Sequence, residues 1–177
     1  MSTQGTLTWS LSSSSTPPRT YDVFISFRGE DTRKNFTDHL YIALKKKSIS
    51  TFRDDENLGK GNTISKKLLE AIENSRIAIV IFSKNYASSK WCLNELVHIV
   101  RCMKETKLKV VPVFYHVDPS DVRKQRGTFA QAFKKHKKRF GRIILERLKK
   151  YKSKKMKKWR SALREVANLS GWDLQDR

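Results

Sequence analysis

Apolar residues along the chain alternate between two rhythms. Tyr21–Phe27 is a short β-rich run that stops at Arg28-Gly29, and Phe36, Leu40, Ala43 and Leu44 then recur at helical spacing. Ser50–Arg53 reads as a second strand, Asp54–Gly61 as a polar loop, and Ile64, Leu68, Ala71 and Ile72 as a second helix. Ile77–Phe82 is continuously apolar, as strands buried on both faces of a parallel sheet are. A helix through Leu93–Met103 follows, then a strand over Val110–Tyr115, weakened by Pro112, which cannot donate to a ladder. After the turn at Asp118-Pro119-Ser120, Phe129, Ala132 and Phe133 mark one helix and Trp159, Leu163, Val166 and Ala167 another. Gly171 ends that helix, and Trp172–Leu174 is a short candidate fifth strand.

Strands alternating with helices predict an α/β fold, a doubly wound parallel sheet with right-handed crossovers. Ligands in such sheets bind outside the carboxyl ends of the strands. Those ends here are Phe27/Arg28, Arg53/Asp54, Phe82/Ser83 and Val117/Asp118.

Residues 1–20 are rich in Ser and Thr, carry one charge (Arg19) and end in Pro17-Pro18, which reads as a flexible leader before a domain at 21–177. They lack the basic start and apolar centre of a secretory signal, and no run approaches the ~20 apolar residues of a membrane span. The expectation is an intracellular, cytoplasmic protein. Cys92 and Cys102 on one helix would lie about 15 Å apart, too far for a disulfide. With no clustered histidines, no metal site is expected.

Charge changes the picture in one place. Lys134–Arg160 holds fifteen Lys or Arg against the single acid Glu146, +14 of the chain's +21. Ile144, Leu148, Tyr151 and Trp159 would share one face of a basic amphipathic helix. Such a segment binds an anionic membrane surface or nucleic acid, or is simply a solvated charged stretch. Lys154–Lys158 equally fits a nuclear-import patch.

Candidate chemistry lies in Ser88–Val97. Ser88 or Ser89 can cap the helix, and Leu93, Leu96, Val97 and Val100 form its apolar stripe. Trp91 and Glu95, four apart, then stand together on the opposite face, away from the core. From spacing alone, an exposed Glu on a solvated face explains the pattern better than catalysis does.

Five ordered stretches resemble the plant TIR (Toll/interleukin-1 receptor-like) family, as in plant TIR-type disease-resistance proteins. They are S-S-K-W-C-L-N-E-L at Ser88–Leu96, Tyr21–Arg33, Phe52–Ile64, Val110–Arg123 and Glu165–Trp172. The resemblance implies a flavodoxin-like five-stranded sheet and a self-associating NAD glycohydrolase of immune and cell-death signalling. NAD is its substrate, no cofactor is needed, and Glu95 is the catalytic carboxylate. It places NAD at Arg28, Gly29, Glu30, Asp31, Thr32 and Arg33, with Trp91 stacking on a flat ring and Arg28 or Arg33 holding the pyrophosphate.

The loop with Gly59, Lys60 and Gly61 would pack on a neighbouring protomer and complete the site, Gly61 touching NAD. His39 matches a helix interface histidine, with Asp38 before it where Ser is common. Two features differ from the family: a basic insertion at about 140–158, and no final helix after the fifth strand. The alternatives are a non-catalytic adaptor acting by homotypic contacts and a nucleic-acid-binding module using the basic segment.

Overall fold

The computed structural model describes residues 19–53, 65–141 and 146–175. Its strands are β1 (Tyr21–Ser26), β2 (Thr51–Arg53), β3 (Ser75–Phe82), β4 (Lys109–Tyr115) and β5 (Trp172–Leu174). All pair in parallel, in the order β2-β1-β3-β4-β5. The order reverses between β1 and β3, so a topological switch point opens at the carboxyl ends of these two strands. Between the strands run α1 (Gly29–Thr32), α2 (Phe36–Lys46), α3 (Lys66–Glu73), α4 (Lys90–Glu105), α5 (Pro119–Lys124), α6 (Gly127–Gly141) and α7 (Glu146–Ala167). A 3-10 turn at Tyr86–Ser88 precedes α4.

Strand side chains alternate between two apolar layers. Val23, Ile25, Phe27, Ile81 and Val113 pack under α2 through Phe36, Leu40, Tyr41 and Leu44. Phe24, Ala78, Val80, Phe82 and Phe114 face the other way, into a larger core with α3, α4, α6 and α7. Pro112 is tolerated in β4 because pairing with β5 begins one residue later, at Val113↔Trp172. Gly171 does not cap a helix. It presses on that proline, and a Cβ there would stand 2.2 Å from the Pro112 carbonyl oxygen.

Several boundaries differ from the sequence reading. The leader ends earlier, because Arg19 Nη1 donates to Ser75 O at 2.9 Å and Nη2 to Thr106 O, tying the chain to β3 and the end of α4. The stretch at 28–33 does not open the long helix but makes the one-turn α1. The basic segment is helix α7 from Glu146 onward. Leu148, Tyr151 and Trp159 differ in burial: Trp159 is buried against α4, whereas Leu148 and Tyr151 are exposed. The first turns of α7 overhang the core, and Ile144 lies outside the described residues. No described helix is long and apolar enough to cross a membrane.

Candidate active site

Helix α4 starts where Ser89 accepts a hydrogen bond from Cys92 N at 3.2 Å; of the two candidate serines, Ser89 is the cap. Its second turn carries Glu95, which is not displayed on an outer face. Glu95 is 2% exposed. A single apolar stripe assumes one packing partner, but α4 touches α3, the sheet and α7 together. A polar residue opposite the stripe is therefore enclosed as well. Trp91 is half-buried against the main core, and its Nε1 is buried without a hydrogen-bond partner.

The carboxylate's surroundings come from β1, the 3-10 turn and α4 itself. Tyr86 is fully buried, with its hydroxyl 2.8 Å from Ser26 Oγ and donating to Cys92 O at 3.3 Å. Cys92 Sγ donates to Phe27 O at 3.5 Å. Burial, then the charge of Glu95, pushes the Cys92 thiol from 9.0 up to about 12. Burial likewise raises the Tyr86 phenol, with smaller contributions from Cys92 and Glu95. Both groups are protonated at neutral pH, so neither is a thiolate or phenolate nucleophile. Glu95 contributes the carboxyl group of this cluster.

Arg28 reaches the cluster from the end of β1: its charge acts on Cys92, its Nη2 donates to exposed Glu30 at 2.6 Å, and its buried Nε makes no hydrogen bond. The rest of the 28–33 stretch is tied into the fold. Asp31 accepts from Ser83 Oγ (2.6 Å), Asn85 N (2.9 Å) and Asn85 Nδ2 (3.0 Å), which staples α1 to the loop after β3. Thr32 is fully buried and accepts from Thr37 Oγ1 at 2.8 Å. Gly29 makes room for Arg33, whose guanidinium lies 5.1 Å over the Phe27 ring; a Cβ at Gly29 would meet Arg33 Nη2 at 2.9 Å.

Of the self-association residues, His39 is exposed on α2. Asp38 instead accepts from Arg53 Nη1 at 2.6 Å, joining α2 to the end of β2. Gly59, Lys60 and Gly61 lie outside the described residues.

This arrangement, a parallel sheet with a buried Glu on the helix after β3, can be compared with known proteins. The TIR domain family profile matches residues 20–177. The chain belongs to the TIR domain family. This TIR domain is 54% identical over 169 residues to Disease resistance protein RPV1 of Vitis rotundifolia, covering 93% of the chain and 11% of the relative. It is 52% identical over 160 residues to TMV resistance protein N of Nicotiana glutinosa, covering 90% of the chain and 13% of that protein. Among solved structures it is similar to the TIR domains of the activated Roq1 resistosome, which directly recognizes the pathogen effector XopQ. There the identity is 53%, the TM-score 0.75, and the coverage 88% of each chain. The chain thus spans only about a tenth of the length of these curated relatives.

Sequence reasoning missed Tyr86, whose phenol feels Glu95, and Ser26, which bonds that phenol. Tyr86 and Ser26 carry no periodic signal; only the long parallel register, Ser26↔Val80, brings their segments together. It also missed a convergence of Glu73, His98 and Cys102, whose ligand-type atoms lie within 4.8 Å of one another. The i, i+4 spacing of His98 and Cys102 was the available clue.

Two cavities flank α7. One of about 370 Å³ is lined by Asn94, Val97, Tyr151, Trp159 and three lysines, and not by Glu95. The other, of about 440 Å³, lies between α6 and α7 and is lined by Lys137, Lys149, Lys152, Lys157 and Arg160 with Ser153 and Met156.

Proposed function

We propose that this TIR domain hydrolyses NAD at the nicotinamide–ribose bond, with Glu95 as the catalytic carboxylate, in plant immune and cell-death signalling. The observation that carries the reading is a carboxylate enclosed at the switch point of the sheet, within the S-S-K-W-C-L-N-E-L stretch. Enclosing a carboxylate costs several kcal/mol before compensating bonds. That cost has a use if a cation forms beside it.

Departure of nicotinamide leaves positive charge spread over the ribose C1′ and ring oxygen. A fixed carboxylate in a water-poor site stabilises that charge more than it stabilises the ground state. Nicotinamide leaves as a neutral ring from a cationic one, so no general acid is required. Trp91 supplies an aromatic face for a flat ring, and Arg28 a guanidinium for the pyrophosphate.

Glu95 is 2% exposed in the single protomer, so substrate entry requires its surroundings to move. Assembly with other TIR domains is the event that opens and completes the site. The assembled state of the similar Roq1 domains, as TIR domains of a resistosome, supports this order.

The test is NAD turnover at low and high protein concentration, with Glu95→Ala as control. Expected are a rate per protomer that rises with concentration and a loss of about 10²–10³-fold in the variant, the scale of removing one transition-state contact. Equal turnover by Glu95→Ala would falsify the assignment.

Exposed His39 on α2 favours the second reading, a homotypic adaptor; signalling that survives Glu95→Ala but not His39→Ala would select it. The cationic cavity between α6 and α7 extends either reading to a nucleic-acid or anionic-membrane partner, recognised by steeply salt-dependent binding.

A further inference from the structure

Three ligand-bearing side chains converge where the end of α3 meets the middle of α4, on residues the proposed NAD chemistry does not use. His98 and Cys102 are one helical turn apart, so they stack on one face of α4. Glu73, the last residue of α3, reaches them from the side. One ligand atom from each residue, an imidazole nitrogen, a thiol sulfur and a carboxylate oxygen, lies within 4.8 Å of the other two.

The details point to a cation. His98 Nε2 stands 3.1 Å from Glu73 Oε1 but makes no properly directed hydrogen bond, although the imidazole is nine-tenths buried. The same ring hydrogen-bonds the Leu69 backbone. With Nε2 unbonded, that bond belongs to Nδ1. An Nδ1–H donated to a carbonyl is the outer-sphere arrangement that fixes a metal-ligating histidine and directs the Nε2 lone pair at the ion. His98 Nε2 and a Glu73 carboxylate oxygen then stand 3.1 Å apart, close enough for one ion to take both. The neighbouring cation is Arg101, whose Nη2 is 3.0 Å from the same Glu73 oxygen and whose Nε lies 3.6 Å from Glu105 Oε2. Arg101 is half-exposed, and turning wholly to Glu105 vacates the Glu73 oxygen.

We propose that Glu73, His98 and Cys102 form a binding site for a zinc-type divalent transition metal ion. Imidazole, thiolate and carboxylate together suit a borderline ion rather than magnesium or calcium. Three protein ligands leave a fourth position for water in a tetrahedral shell. Cys102 is buried, while Glu73 is 43% exposed and marks the entry side. On binding, the S–H bond of Cys102 breaks, its proton passes to solvent, and the sulfur electron pair forms the metal–sulfur bond. The bound ion links α3 to α4 at a second point, beyond their apolar contact.

Chelator-treated full chain is titrated anaerobically with Co²⁺ as the probe. Expected are a thiolate-to-cobalt charge-transfer band in the near ultraviolet and four-coordinate d–d bands in the visible, saturating at one equivalent and abolished by Zn²⁺. Cys102→Ser removes the charge-transfer band, while Cys92→Ser leaves it unchanged. Glu73→Gln, at a half-exposed position that does not endanger folding, weakens cobalt binding by about tenfold or more. Circular dichroism reports whether each variant is folded. Absence of the charge-transfer band in the unaltered chain at excess cobalt overturns the proposal and leaves a Glu73–His98–Arg101 ion-pair network. A band that persists in folded Cys102→Ser, or one insensitive to Glu73→Gln, overturns it equally. NAD turnover is not the readout, so these outcomes are independent of the role of Glu95.

Discussion

Trp159 is the residue through which α7 holds α4, and Trp159→Ala tests whether that contact supports the helix bearing Glu95. The indole is 1% exposed, with its ring centroid 5.2 Å from that of His136. Its Nε1 donates to Asn94 Oδ1 at 2.9 Å, one residue before Glu95. Truncating a buried tryptophan costs about 3–5 kcal/mol through lost transfer energy and the cavity left behind. The half-buried Asn94 oxygen also loses its donor, about 1 kcal/mol more.

A total of ~4–6 kcal/mol is a large part of a typical domain stability of ~5–15 kcal/mol. At about 3 °C per kcal/mol for a domain of this size, Tm falls by roughly 12–18 °C. Trp159→Phe keeps most of the apolar volume and loses the hydrogen bond, so about 1–2 kcal/mol is expected. Tyr151, eight residues earlier on the same helix but 63% exposed, is the control: Tyr151→Ala should stay within about 0.5 kcal/mol. Urea unfolding with a shared m-value measures all three. A Trp159→Ala loss below ~2 kcal/mol, or one matched by Tyr151→Ala, would show that α7 does not anchor α4 and that the packing account is wrong.

Asp31→Ala removes three accepted hydrogen bonds between α1 and the loop after β3 and should cost about 2 kcal/mol in thermal or urea unfolding. NAD turnover should fall with it, because that loop leads into α4. Cys92, at about 12 in the fold against 9.0 for a free thiol, holds roughly a thousandfold less thiolate at pH 8, so alkylation of the native protein by iodoacetamide at this site should be slower by at least that factor. A folded pKa above the unfolded one means that its contribution to stability is complete below pH 9 and is lost as pH rises toward 12; urea midpoints across that window should fall less in Cys92→Ala. His136 is buried, with Nε2 2.9 Å from Ala87 O, and burial, followed by Lys90 and Arg139, lowers its pKa below 6.5. Its neutral form is the folded one, so stability is complete above pH 6.5 and lost as pH falls through the lowered value. His136→Gln should flatten that acid limb of a Tm-against-pH curve.

The alternation of apolar runs determined the class of the fold. Ile77–Phe82, apolar at every position, has to be a central strand because no exposed face would suit it, and β3 lies at the centre of the sheet. Helix spacing placed Glu95 on the helix after that strand. These are properties of single elements, and periodicity records them directly. What surrounds an element is a different matter. Glu95 looked outward because a helical wheel knows one apolar stripe, whereas α4 is flanked by α3, the sheet and α7 at once. The intramolecular hydrogen-bond partners of Asp31 and Thr32 were likewise supplied by the tertiary fold. Asp38 joined Arg53 across fifteen residues for the same reason.

Tyr151 and Trp159 illustrate the division most simply. Both are aromatic, basic-flanked and on one helix, yet one is open to solvent and the other closed. Burial depends on where the neighbouring helices end, and that is decided by contacts between residues distant in the chain. Local spacing carries the period of a helix or strand, because the period is set by backbone geometry. The enclosure of a carboxylate, the pairing of an aspartate and the meeting of Glu73 with His98 and Cys102 are set only when the layers close on one another.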